Sequence, residues 1–408
     1  MQKLRKTRDS HAFRGKGRSW FPLLLLIVTV VGCSSAPVRN PLPQEYSADA
    51  GFPEIPKARI WGDEPPPWFD AVLELPDDEM RRNNPATYGK PHHYLAISGG
   101  GANGAFGAGL LNGWSEAGTR PEFTMVTGIS TGSLIAPFAF LGPEYDPVLK
   151  AIYTTYSTED LVRHRKWYDI PRSDSIADTA PLREKIAQHM TEEVMRKIAA
   201  AHKAGRRLFI GTVNLDAMRP VMWNIGEIAA SGQPGALDLI RAVMLASASI
   251  PGAFPPVYIE VEGGGVVYDE MHVDGGTATQ VFLYPLGIDW RKVLDKLAVP
   301  GSPNIYVIRN SRIDPQWSAV EPRIGPVISR SVSSLIRTQG IGDMYRMYLG
   351  ARRDNLDYHL AFIPADFDAE SNEVFDPVYM NALYERAYGM ARDGYPWRKT
   401  PPGMQVKP

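Results

Sequence analysis

Short apolar runs of strand type alternate with longer stretches of helical period from about Tyr94 onward. Strands are predicted at Tyr94–Ser98, Phe123–Thr127, Arg207–Asn214, Val257–Val261, Val266–Val273, Asn304–Arg309 and Tyr358–Ile363. Helices are predicted at Ala105–Ala117, Ser133–Phe140, Leu182–Ala204, Gly235–Ala246, Val327–Leu349 and Pro377–Arg392. This alternation implies an α/β fold, a three-layer αβα arrangement around a mostly parallel central sheet. One large domain over residues 91–396 accommodates it. Residues 397–408 read as a C-terminal tail. No internal repeat is present.

The N-terminal ninety residues follow another pattern. Residues 1–20 hold seven basic side chains and one acid, Asp9; a mostly apolar run from Phe21 to Val31 follows, then Gly32-Cys33. A basic region, a short apolar core and small residues describe a secretory signal over residues 1–32, too short to span a bilayer. Residues 33–90, with Pro65-Pro66-Pro67, read as an extended linker in which Trp61, Trp68 and Phe69 are aromatic anchors.

Charge changes the picture once that leader is set aside. Removing residues 1–32 takes seven of 44 basic and one of 45 acidic residues, leaving 37 against 44 and a net charge near −7. An acidic chain is not expected to bind nucleic acid or to be attracted broadly to anionic surfaces.

Candidate chemistry sits in two glycine-rich turns. The Tyr94–Ser98 strand runs into Gly99, Gly100 and Gly101, and the next into Gly128-Ile129-Ser130-Thr131-Gly132. Glycines between a strand and a helix bare backbone N–H groups to an anion. A Gly-x-Ser-x-Gly turn presents a serine hydroxyl at the top of a sheet. Gly99-x-Gly101-x-x-Gly104 also matches a dinucleotide fingerprint, but the next strand ends without the carboxylate that a ribose requires. A third motif, Asp274-Gly275-Gly276, puts a carboxylate at a strand end. Each has an ordinary reading as a turn; in this order they point to acyl transfer at Ser130 over an oxyanion hole. Ser130, Asp274 and His359 also follow the Ser, Asp, His order of an α/β-hydrolase triad, although His359 falls inside a predicted strand. His92-His93 has no further ligands at metal-binding spacing, so no metal and no cofactor is expected.

Together these blocks resemble the patatin-like phospholipase family, including its segment between nucleophile and aspartate, here Ala248–Pro256. The resemblance spans roughly Tyr94 to Arg392. It implies a Ser130–Asp274 dyad without histidine, oxyanion donors at Gly100 and Gly101, with Gly99 shaping the loop, and a lipid acyl ester as substrate. The usual geometry of such elbows adds the Thr131 N–H. The family often has Arg or Lys where this chain has Asn103. A neutral amide there implies a weaker positive field, and leaves open a non-catalytic envelope scaffold on the same fold. Val30-Val31-Gly32-Cys33 resembles a bacterial lipobox, which implies lipidation of Cys33, the chain's only cysteine, and membrane attachment through that anchor. Ser34 then implies the outer membrane of a bacterial cell envelope. Head group, acyl length and oligomeric state are not legible.

Overall fold

A computed structural model describes residues 39–166, 168 and 173–404. The expected signal, Cys33 and Ser34 lie outside the described residues. The described residues from Arg39 onward form one compact unit.

Among the described residues nine strands make the main sheet: β1 (Arg59–Trp61), β2 (His93–Ile97), β3 (Met125–Ile129), β6 (Arg207–Asn214), β7 (Arg219–Asn224), β8 (Val257–Gly263), β9 (Val266–Asp274), β10 (Asn304–Arg309) and β11 (Asp357–Phe362). A separate two-stranded ribbon is formed by β4 (Arg163–His164) and β5 (Ala177–Asp178). Along the sheet the order is β1-β7-β6-β3-β2-β10-β11, with the β8–β9 hairpin attached to β6. β6, β3, β2, β10 and β11 run parallel; β7, β1 and β9 pair antiparallel. The expected mostly parallel αβα sheet is therefore present.

The pleat explains the layers. Along β2, Leu95 and Ile97 enter one core cluster while Tyr94 and Ala96 enter another. The first cluster takes residues from helices Gly104–Glu116, Thr131–Leu141, Ala236–Ser247 and Pro377–Arg392. The second takes Met344, Met347 and Ala351 from helix Ile324–Arg353. Covered on both faces, β2 is buried from Tyr94 onward and β3 throughout, and neither alternates between buried and exposed positions. The long helix thus faces the core at Met344 and Met347.

Three expectations need correction. Residues 39–90 are no extended linker: Arg59–Trp61 extends the main sheet by pairing with Trp223, Met222 and Val221 of β7, and short helices follow at Phe69–Leu73 and Asp77–Asn83. Ala58 and Ile55 are buried in the first core cluster, which explains why this segment packs. The single helix expected over Leu182–Ala204 is two, Ala180–His189 and Glu192–Lys203. Thr191 caps the second, its hydroxyl accepting the Val194 N–H at 3.3 Å. Finally, β7 and the short helix Ile225–Ala230 occupy residues for which no element is predicted.

Candidate active site

Ser130 follows β3 directly and caps helix Thr131–Leu141. Its φ is +54° and ψ −125°, a conformation that costs a non-glycine residue about 1–3 kcal/mol. Close packing holds it there. A side chain on Gly128 would meet the Gly132 carbonyl oxygen at 2.3 Å, and one on Gly132 would meet that of Ile97 at 2.3 Å. The glycines on either side of Ser130 thus let the chain fold sharply back on itself against β2. The Ser130 N–H donates to Ser247 Oγ at 3.0 Å, and the Ser130 carbonyl accepts from Ser133 Oγ at 2.6 Å.

Asp274 ends β9, where β9 pairs with β6 at Thr212. Its backbone N–H donates to Ser249 O at 2.9 Å, so the Ala248–Pro256 segment holds the carboxylate's own backbone. Its Oδ1 accepts the Gly276 N–H at 2.7 Å. Asp274 is buried, and burial pushes its carboxyl up to about 6. The Ser130 hydroxyl nearby and the Gly276 N–H bonded to the carboxylate hold it from rising further.

The glycine loop stands beside them. A Cβ on Gly99 would lie 3.1 Å from Ser130 Cβ and 3.7 Å from its Oγ. The Gly99 N–H is spent on the Gln280 carbonyl at 3.2 Å, so Gly99 shapes the loop rather than donating to a ligand. Gly101, at φ +56°, opens a short 3-10 turn, Gly101–Asn103, whose first N–H groups lack partners within the turn. Thr131 N–H is likewise a first-turn donor, adjacent to Ser130. The structure therefore brings Ser130, Asp274, Gly99, Gly100, Gly101 and Thr131 to one place, at the carboxyl ends of the parallel strands.

Asn103 differs from the cation expected by resemblance. Its Oδ1 accepts the Tyr379 hydroxyl at 2.6 Å. Burial raises that phenol's pKa, and the positive charge of Arg312 pulls the other way.

His359 is not part of this group. It lies within β11, paired in register with Tyr306 of β10. Its Nδ1 bonds the Asp357 carbonyl at 3.0 Å, its Nε2 contacts Lys399 Nζ at 2.6 Å, and its ring packs on Tyr306 and Trp397. Burial first, then Lys399, lowers its pKa. His92 bonds Tyr94 and Thr87, while His93 bonds Asn304. Among the described residues no group of three or more His, Cys, Asp or Glu is placed to hold a metal.

An apolar cavity of about 70 Å³ leads from Ser130. Leu134, Phe138, Ile152, Met244, Ile250 and Phe254 line it, with Lys185 and His189 among its few polar members. Two larger cavities, of about 280 and 420 Å³, contain neither Ser130 nor Asp274.

Two supports escaped sequence reasoning. Asn310, just past β10, is fully buried; its Nδ2 donates to Ser98 O at 2.9 Å and its Oδ1 accepts the Gly107 N–H at 3.0 Å. Arg59 pairs with Glu270, which also bonds His272 at 3.1 Å. Burial would push Glu270 up, but His272 and Arg59 hold it down at about 2. Only the adjacency of Asn310 to a predicted strand end hinted at the first; nothing in the sequence linked Arg59 to residue 270.

Residues 95–286 match the patatin-like phospholipase family. No curated protein matches the chain. A solved structure, that of VipD from Legionella pneumophila, is similar at 12% identity over 75% of this chain and 67% of that one, with a TM-score of 0.35. With the family match falling across both glycine turns and the Asp-Gly-Gly motif, the chain carries a patatin-like phospholipase domain over residues 95–286.

Proposed function

We propose that this protein is a serine acyl hydrolase that cleaves acyl esters of lipids through Ser130 and Asp274. The observation that carries the proposal is the pairing of Ser130, held at φ +54°, with a buried carboxylate whose pKa is lifted to about 6. Such a group is ionised at neutral pH and basic enough to accept a proton, the balance that general base catalysis requires.

The reaction runs in two halves. Asp274 takes the Ser130 hydroxyl proton as Oγ bonds to the ester carbonyl carbon. The negative charge moves to the carbonyl oxygen, against the N–H groups of Gly100, Gly101 and Thr131. Collapse breaks the ester C–O bond, and the departing alcohol takes the proton from Asp274. Water then gives a proton to Asp274 and attacks the acyl-enzyme; Ser130 leaves with that proton. The apolar lining of the cavity beside Ser130 matches the chemistry of an acyl chain. Asn103 supplies no charge to this step.

We also infer that Cys33 is lipidated after removal of residues 1–32, and that the enzyme works at a bacterial envelope membrane, through Ser34 the outer one. Among the described residues no helix is long and apolar enough to cross a membrane.

Labelling by a fluorophosphonate tests the reading. The wild type reacts and Ser130→Ala does not; an unreactive, folded wild type overturns the proposal in favour of a scaffold.

A further inference from the structure

Helix Ile324–Arg353 is buried along only half its length. Gly340, Asp343, Met344, Met347, Gly350 and Ala351 are covered, whereas nothing from residue 324 to 339 is. One face of the uncovered half is apolar. Ile324 is 80% exposed, Leu335 69% and Ile328 57%, joined by Val327, Val332 and Ile336. Spacings of three and four residues put them on one stripe, roughly 18 Å long at 1.5 Å per residue. Trp317, in the preceding loop, is 90% exposed.

A soluble monomer rarely leaves such a stripe to water. Two further observations say what covers it. From Pro322 to Gly342 every charged residue is an arginine, Arg323, Arg330 and Arg337, on a chain that is otherwise acidic once its leader is removed. Arg330 and Arg337 face away from the stripe and donate to the Gln316 and Ile313 carbonyls, drawing the Trp317 loop against the helix. Neither has a carboxylate partner among the described residues. The helix also leaves the fold beside the active site: Gln339 Oε1 accepts from Gln280 Nε2 at 2.9 Å, and the same Nε2 donates to Gly276 O at 2.7 Å, two residues from Asp274.

We propose that the Ile324–Ile336 face docks the enzyme on an anionic lipid bilayer and holds the Ser130 cavity against the membrane that carries its substrate. The proposal rests on the lipid acyl hydrolase reading above. A basic amphipathic helix with an adjoining tryptophan is the form that lies in a membrane interface, its apolar side chains below the head groups. From residue 324 to 342 no carboxylate is present to be repelled by anionic head groups, and Glu321, in the preceding loop, is paired with Arg323 at 2.9 Å.

The experiment uses the full chain with Cys33→Ser, so that no acyl anchor contributes, and a polarity-sensitive fluorophore attached at Leu335→Cys. Vesicles of phosphatidylglycerol and phosphatidylethanolamine should shift its emission to the blue, and brominated lipid should quench it. No shift overturns the proposal. A shift that appears without lipid as protein concentration rises also overturns it, in favour of a contact between copies of the chain. In parallel, Ile328→Asp and Leu335→Asp should each lower hydrolysis of vesicle lipid about tenfold, the order expected for losing one buried aliphatic side chain, and leave hydrolysis of a water-soluble short-chain ester unchanged. An equal loss on both substrates overturns the docking role. Should the wild type hydrolyse neither ester, the reading of Ser130 fails, and the fluorophore still decides the fate of the helix.

Discussion

Asn310 Oδ1 accepts the backbone N–H of Gly107 at 3.0 Å, and the same side chain donates to the Ser98 carbonyl at 2.9 Å. One buried amide therefore spans the glycine loop from its strand to its helix. The loop lies directly on it, since a side chain on Gly100 would meet the Asn310 carbonyl oxygen at 2.3 Å. Asn310→Ala leaves two buried backbone groups without partners, at a cost of about 1–3 kcal/mol by urea denaturation. The donors of Gly100 and Gly101 lose their register, so kcat on a soluble ester falls about a hundredfold while KM changes little. A destabilised variant with full kcat would show that Asn310 serves the fold alone.

The acid limb of the rate profile should belong to Asp274. Its carboxyl, raised to about 6 by burial, must be ionised to accept the Ser130 proton. Log kcat/KM on an uncharged ester therefore falls with unit slope below about pH 6. A profile flat down to pH 4.5 would mean the base is an ordinary exposed carboxylate or absent.

The same burial makes Asp274 a burden on stability. Its folded pKa lies above its unfolded value, so the folded state is fully supported below about pH 4 and loses stability as pH rises through 6. Asp274→Asn removes the loss. The variant should be inactive yet more stable than wild type by about 2–3 kcal/mol at pH 8, with the difference vanishing near pH 4. Chemical denaturation at the two pH values measures it.

The strand that carries Asp274 is braced by residues far back in the chain. Arg59 lies on the edge strand β1, and its pairing with buried Glu270 fixes β9 four residues before Asp274. Arg59→Ala strands a buried carboxylate and should cost about 3–5 kcal/mol. The double variant Arg59→Ala/Glu270→Gln should recover part of that, because the uncompensated charge is gone. Thermal unfolding of the three proteins checks both.

How much of this was legible follows from the range of each signal. β2, β3 and β10 are buried on both faces, and their apolar runs announce them locally. The turns around Gly100 and Ser130 announce themselves because backbone crowding restricts them to glycine over a few adjacent residues. β1 offered no such pattern: Arg59-Ile60-Trp61 is three residues long amid prolines, and only its partner β7 makes it a strand. β7 itself begins Arg219-Pro220, with proline at an early strand position, which masks its apolar continuation Val221-Met222-Trp223. Asn310 is a lone polar residue after a strand, and its role depends on a contact with Gly107 about two hundred positions away. The break at Thr191 was readable in principle: Thr191-Glu192-Glu193 is a helix-start pattern inside the long helical period. His359 fitted a chain order, but order says nothing of depth along a strand, and its place in β11 keeps it among Lys399, Tyr306 and Trp397.

The most direct test of a histidine-free dyad is one set of hydrolysis rates on a single lipid ester, for wild type, Ser130→Ala, Asp274→Asn and His359→Ala, each confirmed folded. A Ser130–Asp274 dyad predicts turnover in wild type and His359→Ala and a loss of at least about a thousandfold in the other two. An active Asp274→Asn beside an inactive His359→Ala would contradict it.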